Sequence, residues 1–174
     1  MRINAIIGAC AALVSLAGPA DAANVPAALH NKSISISYMT NLNGVSDRGT
    51  TSNPSTTMHT IYISDAGRLF SKREAFRGSS SQTGHGDPEQ TARAFRFEGN
   101  RLIGTRQQLG GGATQLTISF DQGFQSCTAS VQHGRESGKP YQWRGLQGEL
   151  FTAKELPTTS TPTCSIRAGN AFAQ

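Results

Sequence analysis

Hydrophobic and polar residues alternate along much of this chain, with the period of two that is typical of half-buried β-strands. The alternation runs through segments 33–42, 59–64 and 92–131. Segment 43–57 is rich in Gly, Ser, Thr and Asn and is predicted to be a loop that is either disordered or a binding lid, with disorder favoured. Segment 78–90, with four glycines or prolines and three serines, is predicted to be a second flexible segment. The pattern therefore predicts antiparallel strands that are linked by hairpins and interrupted by two mobile segments.

The pair Gly99-Asn100 defines the register of one predicted hairpin, because a tight two-residue turn needs positive φ angles that these residue types tolerate. The predicted pairs are Glu98 with Arg101, Phe97 with Leu102, and Phe95 with Gly104. In this register the Phe95 ring lies over Gly104, where no side chain competes for space. A second predicted hairpin at Asp65-Ala66-Gly67 pairs Ile63 with Leu69 and Tyr62 with Phe70.

Two later strands are predicted on either side of a four-residue loop, 121–124. The burial pattern favours this loop length because it keeps all the apolar side chains on one face. These side chains are Leu116, Ile118 and Phe120 in the first strand and Cys127, Ala129 and Val131 in the second. Segment 141–151 is predicted to be an irregular strand, and Cys164–Arg167 a last short strand fastened to Cys127.

Together these segments predict an all-β fold, an antiparallel meander of about eight short strands that closes into a small barrel or sandwich. The layout resembles small calycin-type barrels of the lipocalin kind, in architecture only. Lipocalins carry a glycine-x-tryptophan element on the first strand, whereas the sole tryptophan here, Trp143, lies near the end of the chain. No lipocalin residue or ligand is transferred to this sequence.

The N-terminus has the layout of a secretory signal peptide. A basic start at Arg2 precedes an apolar run from Ile3 to Leu16, and Ala20-Asp21-Ala22 offers a cleavage site. We therefore predict a signal peptide over residues 1–22 and a single β domain over 23–174, periplasmic or secreted. A buried N-terminal helix is the alternative. The apolar run is shorter than the roughly 20 residues of a membrane span, and no later segment is longer.

Cleavage would leave two cysteines, Cys127 and Cys164, in an oxidising compartment, where a disulfide is the expected outcome. A catalytic or metal-binding cysteine pair is the rival hypothesis, but no CxxC spacing and no neighbouring histidine support it. The four histidines lack metal-ligand spacing, so neither a metal site nor a cofactor is expected.

The net charge is +5, and the segment from Arg68 to Arg106 contains eight basic and four acidic residues. The hairpin register extended to Arg93 places it opposite Arg106, on the face of the phenylalanines. Like charges placed in this way repel unless an anion lies between them. Arg93, Arg106 and Arg73 are therefore candidate ligand-binding residues at the mouth of a cavity. Solvated arginines that pair locally or reach past the sheet into water are the alternative.

These observations predict an exported, non-enzymatic β domain of the periplasm or cell envelope. Its expected partners are an acidic small molecule, a lipid headgroup or an anionic polysaccharide, and not a nucleic acid. One alternative is a secreted hydrolase that uses His85 and Asp87 with a serine from 79–81; GxSxG is absent. Another is a purely structural envelope protein.

Overall fold

The computed structural model describes residues 25–47, 49–145 and 148–172. The predicted signal peptide, residues 1–22, lies outside this part of the chain. The described residues form a short 3-10 helix (Ala27–Leu29), one α-helix (α1, Pro88–Ala94) and twelve strands. The strands are β1 (Lys32–Ser46), β2 (Gly49–Ile63), β3 (Leu69–Arg77), β4 (Ser80–Gly86), β5 (Phe95–Glu98), β6 (Arg101–Gln107), β7 (Gly112–Phe120), β8 (Cys127–Arg135), β9 (Gln142–Arg144), β10 (Leu150–Ala153), β11 (Thr158–Thr159) and β12 (Thr163–Ala168).

The strands form two antiparallel sheets, which confirms the mostly β architecture, but the described residues contain twelve strands rather than about eight, and β1 pairs with β10 rather than continuing a meander. The first sheet has the order β4-β3-β2-β1-β10-β9, and β11 and β12 also pair with β1. It curls into a half-barrel. The second sheet has the order β5-β6-β7-β8. No helix in the described parts of the chain is both long and apolar enough to cross a membrane.

The loop prediction for segment 43–57 is wrong, because β1 and β2 form one hairpin of paired fifteen-residue strands. Threonine suits an outward-facing strand position as well as a loop, so composition alone misled the assignment. Pro54 is tolerated because it lies beyond the stretch of β2 that pairs with β3, where β2 has an open edge.

The loop prediction for segment 78–90 is also wrong, since this segment contains β4 and the first turn of α1. The Asp87 side chain caps the helix by accepting a hydrogen bond from the Gln90 amide at 2.8 Å. Pro88 occupies the first helical turn, where its missing N–H costs nothing. The Thr91 hydroxyl, at 2.9 Å from the Ser71 hydroxyl, fastens the helix to β3.

Both predicted hairpin registers are confirmed. Glu98 pairs with Arg101, Phe97 with Leu102, Phe95 with Gly104, Ile63 with Leu69, and Tyr62 with Phe70. The β7–β8 strands share the predicted apolar face, but Phe120 pairs with Cys127, so the connection spans residues 121–126 rather than 121–124. The longer loop is held by the Asp121 carboxylate, which accepts hydrogen bonds from the amides of Gln125 and Ser126.

The main core lies between the two sheets. The first sheet contributes Ile34 and Ile36 of β1 with Ile61 and Ile63 of β2. The second sheet contributes Leu102, Leu116, Ile118 and Phe120. A smaller cluster of Tyr141, Trp143, Phe151 and Ala153 surrounds β9 and β10. The disulfide Cys127–Cys164, with Cα atoms 5.7 Å apart, joins β8 to β12 beside the main core and confirms the predicted pairing. It is compatible with export to an oxidising compartment.

Gly104 is expected to tolerate no side chain. A Cβ at this position would collide with the Phe95 ring, as the register predicted. Gly104→Ala should lower the free energy of unfolding by about 1–3 kcal/mol, because the ring must leave its position. Gly134→Ala is the control, since a Cβ there meets nothing within 4 Å. Urea denaturation of both variants measures the difference; equal stabilities would contradict the overpacking argument.

Candidate functional site

A cavity of about 740 Å³ lies between the two sheets, beyond the main core. Along β1, β2 and β3 the side chains that face the second sheet are apolar beside the core and become polar or aromatic farther along. The polar end consists of Tyr38 and Thr40 of β1, Thr57 and His59 of β2, and Arg73 and Arg77 of β3. The volume falls within the range of small-molecule binding sites, roughly 300–1,000 Å³.

The described side chains that line this cavity include four arginines and no aspartate or glutamate. The arginines are Arg73, Arg77, Arg106 and Arg144. Arg144 donates a hydrogen bond to the Gly148 carbonyl, and Arg77 lies close enough to Glu149 for a favourable charge interaction. Arg73 and Arg106 form no ion pair with any residue in the described ranges. The cavity therefore has an uncompensated positive charge.

Arg73 and His59 are direct neighbours across β2 and β3. Burial, and then the positive charge of Arg106, lowers the pKa of Arg73. Burial, followed by the charges of Arg73 and Arg106, lowers the pKa of His59 to about 3. The His59 imidazole is consequently neutral at pH 7, with its Nε2 at 3.4 Å from the Tyr38 hydroxyl.

The opposite wall of the cavity carries a row in which Arg106 of β6 pairs with Thr114 of β7, and Thr114 pairs with His133 of β8. The Thr114 hydroxyl is 3.1 Å from His133 Nδ1 and 3.1 Å from the Tyr141 hydroxyl. His133 Nε2 is 2.7 Å from the Thr159 hydroxyl, which belongs to the first sheet. This network fixes the wall from which Arg106 projects.

One end of the cavity is aromatic. The rings of Tyr141 and Trp143 lie 6.3 Å apart, and Trp143 stacks on Phe151 at 5.5 Å. Trp143 is the only tryptophan of the chain. Its Nε1 is buried without a hydrogen-bond acceptor in the described residues, as is Arg77 Nε. A ligand that enters this end therefore meets aromatic rings.

Comparisons with protein families, curated proteins and solved structures find no match to this chain.

The structure brings together two of the three arginines that the sequence singled out. Arg73 and Arg106 line the same cavity from different sheets. The placement of Arg93 opposite Arg106 is wrong, because the strand begins at Phe95 and Arg93 lies in α1. Arg93 is exposed there and forms an ion pair with Glu89, one helical turn away.

The sequence interpretation missed Arg77, His59 and Tyr38. A signal was present in β3, where Ser71, Arg73, Ala75 and Arg77 continue the face that begins with the buried Leu69. Polar residues on a core-facing register indicate a lined cavity, but only once β3 is known to extend past residue 70.

His85 and Asp87 have different structural roles and do not act as a pair. The Asp87 carboxylate caps α1. His85 borders the cavity, but it pairs with Lys72, on the face of β4 opposite to that of Arg73. Of the serines in question, Ser81 shares the His85 face, but four residues of strand, roughly 13 Å, separate them. Within the described chain no group of three or more histidine, cysteine, aspartate or glutamate residues is placed to hold a metal ion.

Proposed function

We propose that this chain is an exported, non-enzymatic β domain of the periplasm or cell envelope that binds an acidic small molecule in the cavity between its sheets. The observation that carries the proposal is the pair Arg73 and Arg106, two guanidinium groups without ion-pair partners in the described residues, in a cavity without carboxylate side chains. Guanidinium groups hold carboxylate and phosphate groups with paired hydrogen bonds. A bound anion would remove the repulsion between them.

Trp143 supplies a built-in measurement of this binding, because it lines the cavity and is the only tryptophan. Titration with 1-anilinonaphthalene-8-sulfonate, an aromatic anion, should quench Trp143 fluorescence by energy transfer. Arg106→Gln should weaken this binding by roughly tenfold or more, because a hydrogen bond to a charged group is worth about 1.5–3 kcal/mol. Added salt should also weaken it, because Arg106 is an exposed cation whose attraction to an anion is screened.

Arg101→Gln is the matched control. Arg101 lies on the same strand as Arg106 and is exposed like it, but it interacts with Glu98 at 3.6 Å and points to the other face. The cavity proposal requires that Arg101→Gln leave the affinity within about twofold. Equal losses in both variants, with dextran sulfate binding lost in parallel, would indicate an anionic polymer on the surface instead. Binding that neither variant changes would remove the proposal.

A further inference from the structure

The two unpaired arginines approach the cavity from opposite sheets. Arg73 lies on the first sheet, in a cross-strand row with His59 and Gly84. Arg106 lies on the second sheet, in a row with Thr114 and His133. Residues of both rows line the same cavity, and the charge of Arg106 acts on both Arg73 and His59. The positive fields of the two guanidinium groups therefore overlap in the space between the sheets.

The tyrosines and two of the histidines around this space, Tyr38, Tyr141, His59 and His133, are neutral at pH 7. Burial raises the pKa of the Tyr38 phenol, so its hydroxyl remains a donor, and the His59 imidazole carries no charge. Burial likewise raises the pKa of the Tyr141 phenol and lowers that of His133. The chain thus supplies hydrogen-bond donors but no negative charge to balance Arg73 and Arg106.

We propose that the cavity is built for a dianionic oxyanion of the phosphate monoester type, held between Arg73 and Arg106. This inference rests on the proposed function and specifies its ligand class. The charges of Arg73 and Arg106 alone are matched by two negative charges, and a phosphate monoester carries close to two at neutral pH. Its charge lies on one centre with three acceptor oxygens, so forks from opposite sides can bind the same group. A planar monocarboxylate balances only one of the two guanidinium groups.

Three compounds that share a phenyl ring but differ in charge test this inference. Phenyl phosphate is a dianion at about pH 8, whereas methyl phenyl phosphate and benzoate are monoanions. Calorimetry and Trp143 quenching should give phenyl phosphate an affinity at least about tenfold higher than either monoanion. In Arg73→Gln and in Arg106→Gln the ratio of phenyl phosphate to methyl phenyl phosphate affinity should fall towards one. This ratio is insensitive to a loss of folded protein.

Gly84 offers an independent test of location. A Cβ at Gly84 would stand on the Arg73 face and meet nothing within 4 Å, so Gly84→Phe should fold and occupy the cavity. Gly134→Phe is the control, because its site in β8 is equally open and faces away from the His133 wall. Phenyl phosphate binding should be lost in the first variant and retained in the second.

The outcomes distinguish this inference from the proposed function. Equal affinities for phenyl phosphate and methyl phenyl phosphate, with binding still lost in Arg106→Gln, would overturn the dianion and leave an acidic-ligand site. If Arg106→Gln changes the binding of none of these compounds, both the dianion inference and the proposed function would be wrong. Inorganic phosphate and dihexanoyl phosphatidic acid identify the source of the phosphate. Tighter binding of the first indicates a free phosphate and tighter binding of the second a lipid headgroup; either result supports a dianionic ligand.

Discussion

Removal of the Cys127–Cys164 disulfide is expected to lower the free energy of unfolding by about 4 kcal/mol, or the melting temperature by roughly 10 °C. The bond joins residues 37 positions apart, so its loss frees a long loop in the unfolded chain. The bond also joins the two sheets beside the main core. Guanidinium denaturation of the oxidised protein and of the Cys127→Ala/Cys164→Ala variant measures the difference.

Reductant gives the control for this prediction. Added dithiothreitol should destabilise the wild-type protein by a similar amount and leave the double-alanine variant unchanged. A loss below about 1 kcal/mol would mean that other contacts between the sheets, such as that of His133 with Thr159, restrain the chain as effectively as the disulfide does. The stability argument for the disulfide would then be wrong.

Local turn chemistry made much of the fold predictable. The Gly99-Asn100 turn gave the correct pairing of its strands because the two residues at the reversal determine which side chains oppose each other. The face of β7 and β8 was predictable for a related reason: any loop with an even number of residues keeps the same side chains inward. Loop length itself was not predictable, since the Asp121 hydrogen bonds that stabilise six residues leave no periodic signal.

Errors arose where one composition is compatible with two structures. Ser- and Thr-rich segments 43–57 and 78–90 look like loops, yet threonine also favours strands when its neighbours cover one face. The Arg93 error came from extending a strand register beyond its start. The sequence Asp87-Pro88-Glu89 carries a helix-start signal, with a capping residue, a proline in the first turn and an acidic side chain near the N-terminus.

The cavity could be predicted only in part. Arg73 and Arg106 are 33 positions apart in the sequence, and nothing local indicates that β3 and β6 belong to different sheets that face each other. The excess of basic residues in this block was visible, but their partners were not. Several of these bases form ion pairs, as half-buried Lys72 does with Glu74 and exposed Arg96 with Glu98. Burial and pairing, which tertiary structure decides, separate Arg73 from these residues.

Acidification is expected to destabilise this protein through His59. The pKa of His59 is about 3 in the folded state and about 6.5 in the unfolded chain. Between these values the unfolded state binds the additional proton, so the free energy of unfolding decreases as the pH falls. The contribution is fully present above pH 6.5, and about 4 kcal/mol of it is lost on acidification to about pH 3.5. Urea denaturation at a series of pH values measures this loss.

His59→Gln isolates the contribution, because glutamine can retain a hydrogen bond to the Tyr38 hydroxyl and does not titrate. Carboxylates that become protonated over the same range affect the wild-type protein and the variant alike, so the difference between the two curves reports His59. The variant should lose less stability on acidification, and the two curves should diverge below about pH 6.5. Parallel curves would show that water or a shift of the Arg73 side chain allows His59 to be protonated in the folded state. The effect of the positive charge between the sheets on His59 would then be smaller than the geometry indicates.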